Sequence, residues 1–142
     1  MLASVFALAV AATAPPPVLA AQVWSADSIT WTETRPGGAQ RAVLEDDLNA
    51  PGVVTYAFRM SDGQWFAPHT HDTTARVFVL KGVLLLGQDA SGDHRKIVRV
   101  TAGEVVLVPG GMAHYEGAEG ETVIVGVALG PWTTHFIDTP PR

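Results

Sequence analysis

Apolar and polar residues alternate along short segments of this chain, and most segments end at turn-forming residues. In segment 53–60 the even positions, which include Tyr56 and Phe58, are all apolar, whereas the odd positions include Thr55 and Arg59. A period of two places alternate side chains on opposite faces, which is typical of a half-buried β-strand. This segment is therefore predicted to be a central strand with one face in the core.

Further segments rich in Val, Ile, Thr and aromatic residues are interpreted in the same way. The predicted strands are 29–34, 39–44, 53–60, 76–80, 83–87, 95–101, 104–108, 122–129 and 133–137. Turn residues such as Pro36-Gly37-Gly38 and Pro109-Gly110-Gly111 separate them, and segment 104–108 is apolar enough to predict a strand covered on both faces. No stretch of the mature chain sustains a helical period over three turns, so the pattern predicts an all-β sandwich or barrel of antiparallel strands.

Composition narrows the class of protein. The chain has 142 residues, of which 47% are apolar and 16% are charged, and this favours one folded domain over a disordered chain. The net charge is −5 and no basic cluster is longer than Arg95-Lys96, which argues against nucleic acid or an anionic membrane as a partner. The chain has no cysteine, which excludes disulfides, thiolate zinc sites and thiol nucleophiles.

The amino-terminal segment is predicted to be a signal peptide. An apolar run over residues 1–14 is followed by Pro15-Pro16-Pro17 and by small residues suited to cleavage near Ala20 or Ala21. No Lys or Arg precedes the apolar run, so the usual basic region is missing. We expect residues 1–21 to direct export to the periplasm or the exterior, and residues 22–142 to form a domain with no membrane attachment after processing.

Three histidines form the main candidate site. His69 and His71 are one residue apart, so on a strand they share a face, and His114 follows a second stretch rich in glycine and proline. A His-x-His pair alone is often surface polarity or a hydrogen-bonded core pair. Three neutral imidazoles converging from two strands would instead form a metal site with open positions, as in catalytic centres.

The residues around these histidines resemble the two motifs of the cupin family. Gly63, His69, His71 and Gly82 match the first motif. Gly103, Pro109, Gly111 and His114 match the second. The chain further resembles small, single-domain, often exported bacterial cupins. The resemblance implies a double-stranded β-helix (jelly-roll) barrel, a divalent metal, a small-molecule ligand or substrate and a homodimer.

The chain departs from the first motif where the family has a glutamate ligand. Ala75 occupies that position, and the second motif's closing asparagine is replaced by Ala118. The remaining His69, His71 and His114 favour Fe, Zn, Ni or Cu over harder ions. Glu116 shares the face of His114 on a regular strand, which makes it the candidate substitute carboxylate and catalytic base. Asp72 and Arg76 are predicted to point away by the same parity.

Three functions remain open from the sequence. The first is a metal-dependent enzyme, either a dioxygenase or an isomerase or lyase that uses a Lewis-acid metal. The three-histidine set resembles the thiol-dioxygenase branch of cupins. The second is a non-catalytic cupin that binds or senses a small ligand, with or without metal. The third is a structural protein whose histidines are incidental. The aromatic residues Trp65, Phe66, Tyr56, Phe78 and Tyr115 are candidates for a substrate pocket, and the barrel core is favoured for Phe58 and Phe78. His94 and His135 are expected to be exposed or structural and not ligands.

Overall fold

All regular elements in the described part of the chain are β-strands. The computed structural model describes residues 20–35 and 37–138; residues 1–19, which hold most of the predicted signal peptide, lie outside that part. The strands are β1 (Glu33–Thr34), β2 (Gln40–Glu45), β3 (Gly52–Met60), β4 (Trp65–Thr70), β5 (Ala75–Gly87), β6 (Ile97–Thr101), β7 (Val105–Val108), β8 (His114–Gly130) and β9 (His135–Phe136).

The two longest strands organise the barrel. β8 pairs along its length with β5; on its other side its first half pairs with β4 and its second half with β3. The free side of β5 carries β7 and β6, and all these pairings are antiparallel. Register shifts near Lys81 and between Phe66 and His69 bend the sheet. The result is the jelly-roll, double-stranded β-helix fold predicted for a cupin.

The core lies inside the curled sheet. The predicted core face of β3 is confirmed, because Val54, Tyr56 and Met60 are buried. On the other face Val53 is exposed, but Thr55 and Ala57 are also buried. Burying an aliphatic side chain of this size contributes about 1.5–3 kcal/mol. A second cluster forms outside the sheet, where the segment around Ile29 packs on Ala42, Ala57 and Val123 and covers part of the outer face.

Three aromatic rings pack on glycines of neighbouring strands. In each pair the glycine stands directly opposite the aromatic residue in the strand register, and a Cβ there would clash with the ring. The pairs are Tyr56 with Gly126, Trp65 with Gly117, and Tyr115 with Gly87. These glycines are therefore required for side-chain space within the sheet.

Several predicted element boundaries differ from the structure. The segments 76–80 and 83–87 were predicted as two strands but form one, because Gly82 (φ 72°) lies in a bulge and not in a turn. The predicted strand 29–34 is a strand only at Glu33–Thr34, because Ile29 and Trp31 before it pack on the outer face of the sheet. β4 was not among the predicted strands, and β8 begins at His114 instead of residue 122.

The prediction that segment 104–108 is covered on both faces is wrong. Val105 and Leu107 are 55% and 54% exposed, because they point outward from β7 next to Phe78 and Arg76 of β5. No segment of the described chain packs over this part of the outer face closely enough to bury them.

None of residues 20–35 and 37–138 forms a helix that is long and apolar enough to cross a membrane.

Candidate metal centre

The structure brings His69, His71 and His114 together at one end of the barrel. His69 on β4 stands directly opposite His114, the first residue of β8, and His71 follows the end of β4. One ring nitrogen from each histidine lies within 4.8 Å of the others. The rings of His69 and His114 have centroids 4.3 Å apart. The sequence prediction that these three side chains come together is confirmed, although His71 lies just past the end of its strand.

Each of the three imidazoles is oriented by a backbone carbonyl, which accepts a hydrogen bond from Nδ1. The acceptors are Ala67 for His69 (2.7 Å), Thr133 for His71 (2.8 Å) and Met112 for His114 (2.9 Å). A carbonyl oxygen only accepts, so Nδ1 must carry the proton and Nε2 of the neutral ring retains its lone pair. This is the tautomer in which histidine binds a metal through Nε2.

Burial favours the neutral form of His71 and His114. Burial lowers the pKa of His71 to about 4, and neighbouring His69 adds to the lowering, while the Thr133 carbonyl opposes it. Burial also lowers the pKa of His114. Because a metal ligand must be unprotonated, the donor set fits a divalent transition metal such as Fe, Zn, Ni or Cu.

Glu116 lies on the same side of its strand as His114, as the two-residue spacing between them predicts. Its side chain is 14% exposed, and Oε1 lies 3.7 Å from Nε2 of His114, which is too long for a hydrogen bond. Ala75 is buried and offers no carboxylate. Asp72 points away, as predicted, and forms an exposed pair with His135 at 2.9 Å.

A cavity that is open to solvent lies beside His69 and His71. Arg35, Arg41 and Thr134 add polar groups to an otherwise largely apolar lining that also includes Glu116. The aromatic part of the wall consists of Tyr56, Phe58, Phe66, Trp132 and Phe136. The site therefore combines a metal-binding end with space for a small organic molecule.

Trp132 and Tyr56 support the histidine end of this cavity. The Trp132 ring stacks on His71 with centroids 4.0 Å apart, and Tyr56 lies 5.3 Å from Trp132. Burial, and then the nearby negative charge of Glu116, raise the pKa of Tyr56, so its phenol stays protonated. Trp132 was missed by the sequence analysis, although the Gly-Pro-Trp sequence before the last strand marks a turn that could have directed attention to it.

The other aromatic and histidine candidates lie elsewhere. Phe78 is exposed on the outer face, so the expectation that it belongs to the core is wrong. Trp65 stacks on His94 at 3.7 Å, outside the histidine cluster. The Tyr115 hydroxyl donates a hydrogen bond to the Asp93 carbonyl at 2.7 Å. None of these residues lines the cavity.

Comparison with known families agrees with this fold and site. The family described as the ChrR cupin-like domain matches residues 20–133, well over half of the chain. This chain belongs to the ChrR cupin-like family. The match includes all three histidines, Glu116 and Trp132.

This ChrR cupin-like chain is similar to other known proteins over part of its length. Germin-like protein 1-1 of Oryza sativa subsp. japonica is 37% identical over 74 residues, which is 51% of this chain and 34% of the relative. The chain thus spans about a third of that protein's length. A cupin-like protein from Thermotoga maritima superposes with a TM-score of 0.64 at 18% identity, covering 78% of this chain and 89% of the other.

One of the structural neighbours is an enzyme. Salicylate 1,2-dioxygenase from Pseudoaminobacter salicylatoxidans, solved with gentisate, has a TM-score of 0.60 at 14% identity. The similarity covers 73% of this ChrR cupin-like chain and 30% of the dioxygenase. At these identities the structural comparisons show the fold alone.

Proposed function

We propose that this protein is a metal-dependent enzyme acting on a small organic molecule, with His69, His71 and His114 as ligands of one divalent transition metal. The observation that carries the proposal is the set of three Nδ1 hydrogen bonds to backbone carbonyls. They fix all three rings in the tautomer that a metal requires. Incidental histidines would not need the same orientation three times.

The side chains around the histidines suit catalysis on a bound organic molecule. Iron there would supply oxygen chemistry, and zinc or nickel would supply Lewis acidity. Glu116 is the residue that can accept a proton from a substrate, and the protonated Tyr56 can donate a hydrogen bond to a substrate oxygen. The aromatic wall keeps water away from this end. Dioxygenase and isomerase or lyase reactions both fit this arrangement.

The second candidate is a cupin that binds or senses a small ligand without turnover. Ala75 favours it, because the position that carries a glutamate ligand in the cupin motif is here a buried methyl group. A site with fewer ligands binds metal less tightly, and the cavity suffices for binding a ligand on its own.

Export and dimer formation complete the proposal. Residues 1–21 have the pattern of a signal peptide, which supports a periplasmic or secreted location. A homodimer is supported by the outer apolar patch, defined as Phe78, Leu80, Val105 and Leu107, which stays exposed on β5 and β7. Contiguous exposed apolar residues of this kind mark interaction surfaces.

Metal analysis tests the proposal directly. Protein purified without a His-tag or chelator is expected to hold about one Fe, Zn, Ni or Cu per chain. His69→Ala and His114→Ala should lose the metal, whereas the control His135→Ala, which changes an exposed histidine outside the cluster, should keep it. A metal-free native chain that takes up none of these ions would refute the metal site and favour the ligand-binding candidate.

Turnover separates the enzyme from the binding protein. Candidate small molecules are incubated with the metal-loaded native chain and with His114→Ala, and their consumption is followed by mass spectrometry. Consumption by the native chain alone supports metal-dependent catalysis. Equal consumption by both proteins would contradict it.

A further inference from the structure

Arg41 is a charged residue on the inner face of the barrel. It stands opposite Phe58 in the β2–β3 register, and both side chains line the cavity. Its side chain is only 25% exposed, and its Nε atom is buried without a hydrogen-bond partner among the described residues. This N–H lacks an acceptor, whereas Nη2 of the same guanidinium pairs with Glu33, and the partly exposed side chain reaches the cavity.

A second arginine gives this end of the cavity a net positive charge. Arg35 also lines the cavity, and both arginines pair with the single carboxylate of Glu33, Arg35 at 2.7 Å. Two guanidinium groups against one carboxylate leave a charge of +1. Glu33 itself is partly exposed, so it can be exchanged for another carboxylate at small cost.

Aromatic rings connect the arginine end to the histidine end. Phe58, the neighbour of Arg41, lies 5.9 Å from Phe66 and 5.8 Å from Tyr56. Tyr56 contacts Trp132, which stacks on His71. The cavity therefore offers a basic end, an apolar middle of flat rings, and an end of metal-ligand type. These features match one small molecule with an acidic group on a planar body.

We propose that Arg35 and Arg41 bind the carboxylate of a small aromatic acid whose ring lies against Phe58, Phe66 and Tyr56 and whose far end reaches the histidines. This inference deepens the proposed function and rests on it, because it takes the cavity beside the histidines as the substrate site. It assigns the substrate class to organic acids.

The competing explanation is that the arginines only form ion pairs with Glu33 that stabilise the pairing of β1 with β2. The probes that separate the two are benzoate and its neutral analogue benzamide, titrated by calorimetry into the chain with Zn²⁺ and after chelation. Benzoate should bind in both forms and about tenfold or more tighter than benzamide, because a paired carboxylate adds a charge-assisted hydrogen bond. Equal affinity for the two probes, or benzoate binding that disappears on chelation, would overturn the proposal.

Variants give the sharper test. Arg41→Met should weaken benzoate binding about tenfold or more, and Arg41→Lys should weaken it less. Glu33→Gln should tighten benzoate binding, because the carboxylate that competes for the arginines is gone. The control Arg99→Met removes an arginine whose partner is the exposed Glu119 and should change nothing. If the arginines only brace the strand pair, Glu33→Gln leaves benzoate affinity unchanged. Circular dichroism melts check that each variant is folded.

The proposed function and this inference fail in different ways. Benzoate binding that depends on Arg41 in a chain that takes up no metal would refute the metal-dependent enzyme and leave the anion site in place. Full metal content together with unchanged benzoate affinity in Arg41→Met would refute the anion site and leave the metal centre.

Discussion

Replacing Gly126 by alanine should destabilise the barrel and weaken its metal site, although the residue touches no histidine. Gly126 on β8 lies directly opposite Tyr56 on β3. A Cβ at Gly126 would lie less than 2.5 Å from the Tyr56 ring, whereas ordinary contact begins near 3.4 Å. The ring or the strand must therefore move by about 1 Å or more.

Tyr56 has little room to accommodate this change. It is 4% exposed, with Phe58 5.8 Å away on one side and Trp132 5.3 Å away on the other. Overpacking of a well-packed core costs about 1–3 kcal/mol. For a domain of this size that corresponds to a melting temperature lower by about 3–15 °C. Displacement toward Trp132 also disturbs its stacking on His71, so affinity for Zn²⁺ should fall by about tenfold.

Thermal melts and Zn²⁺ titrations of Gly126→Ala measure both effects. The control is a double-mutant cycle with Tyr56→Leu, which removes the ring that the new methyl group meets. Alanine at position 126 should then cost much less than in the native background. An unchanged melting temperature, or an equal loss in both backgrounds, would refute the reasoning that the glycine is required by the ring.

Three further outcomes are expected. Tyr115→Phe removes the hydroxyl that donates to the Asp93 carbonyl and should lower the free energy of unfolding in urea by about 1 kcal/mol; no change would mean that water replaces the bond. Leu107→Lys, in the outer apolar patch, should convert a dimer to a monomer in light scattering, whereas Val23→Lys, also exposed, should not. Glu116→Gln should retain the metal content and lower turnover of an identified substrate about a hundredfold if the carboxylate acts as the base; native turnover would exclude that role.

The sequence was most informative where local patterns decide the structure. The alternation in β3 depends only on the period of the strand, and its core face was predicted correctly. Its other face is also buried at Thr55 and Ala57, which the period of one strand cannot reveal. The two strand segments that carry the site were the ones missed. β4 contains Pro68 and presents a histidine inward, and the first half of β8 presents His114 and Glu116. Polar residues on the inner face hide the apolar period that identifies a strand.

Some residues of the candidate site were identified from the sequence, and others were missed. His69, His71 and His114 were identified because their spacing fixes their faces on strands and because two motifs surround them. Arg41 and Trp132 were missed because each reaches the cavity from a strand or loop far from those motifs. Only the β2–β3 register places Arg41 opposite Phe58, and only the approach of residues 132–133 places a ring and a carbonyl against His71. Such long-range contacts have no local sequence pattern.

The departure at Ala75 and the two arginines change the charge of the cavity in the same direction. Ala75 carries no negative charge at the position where the cupin motif has a glutamate. Arg35 and Arg41 outnumber Glu33 by one positive charge at the other end. With a divalent ion on the histidines, the ion would contribute +2, Glu116 −1 and the arginine end +1. The net charge of these groups would then be +2. Because the walls between these groups are apolar, the excess is weakly screened. Under the proposed function, a cavity of this charge would favour an anionic molecule over a neutral one. Alanine in place of the motif's glutamate would then lower affinity for the metal and raise affinity for an acid.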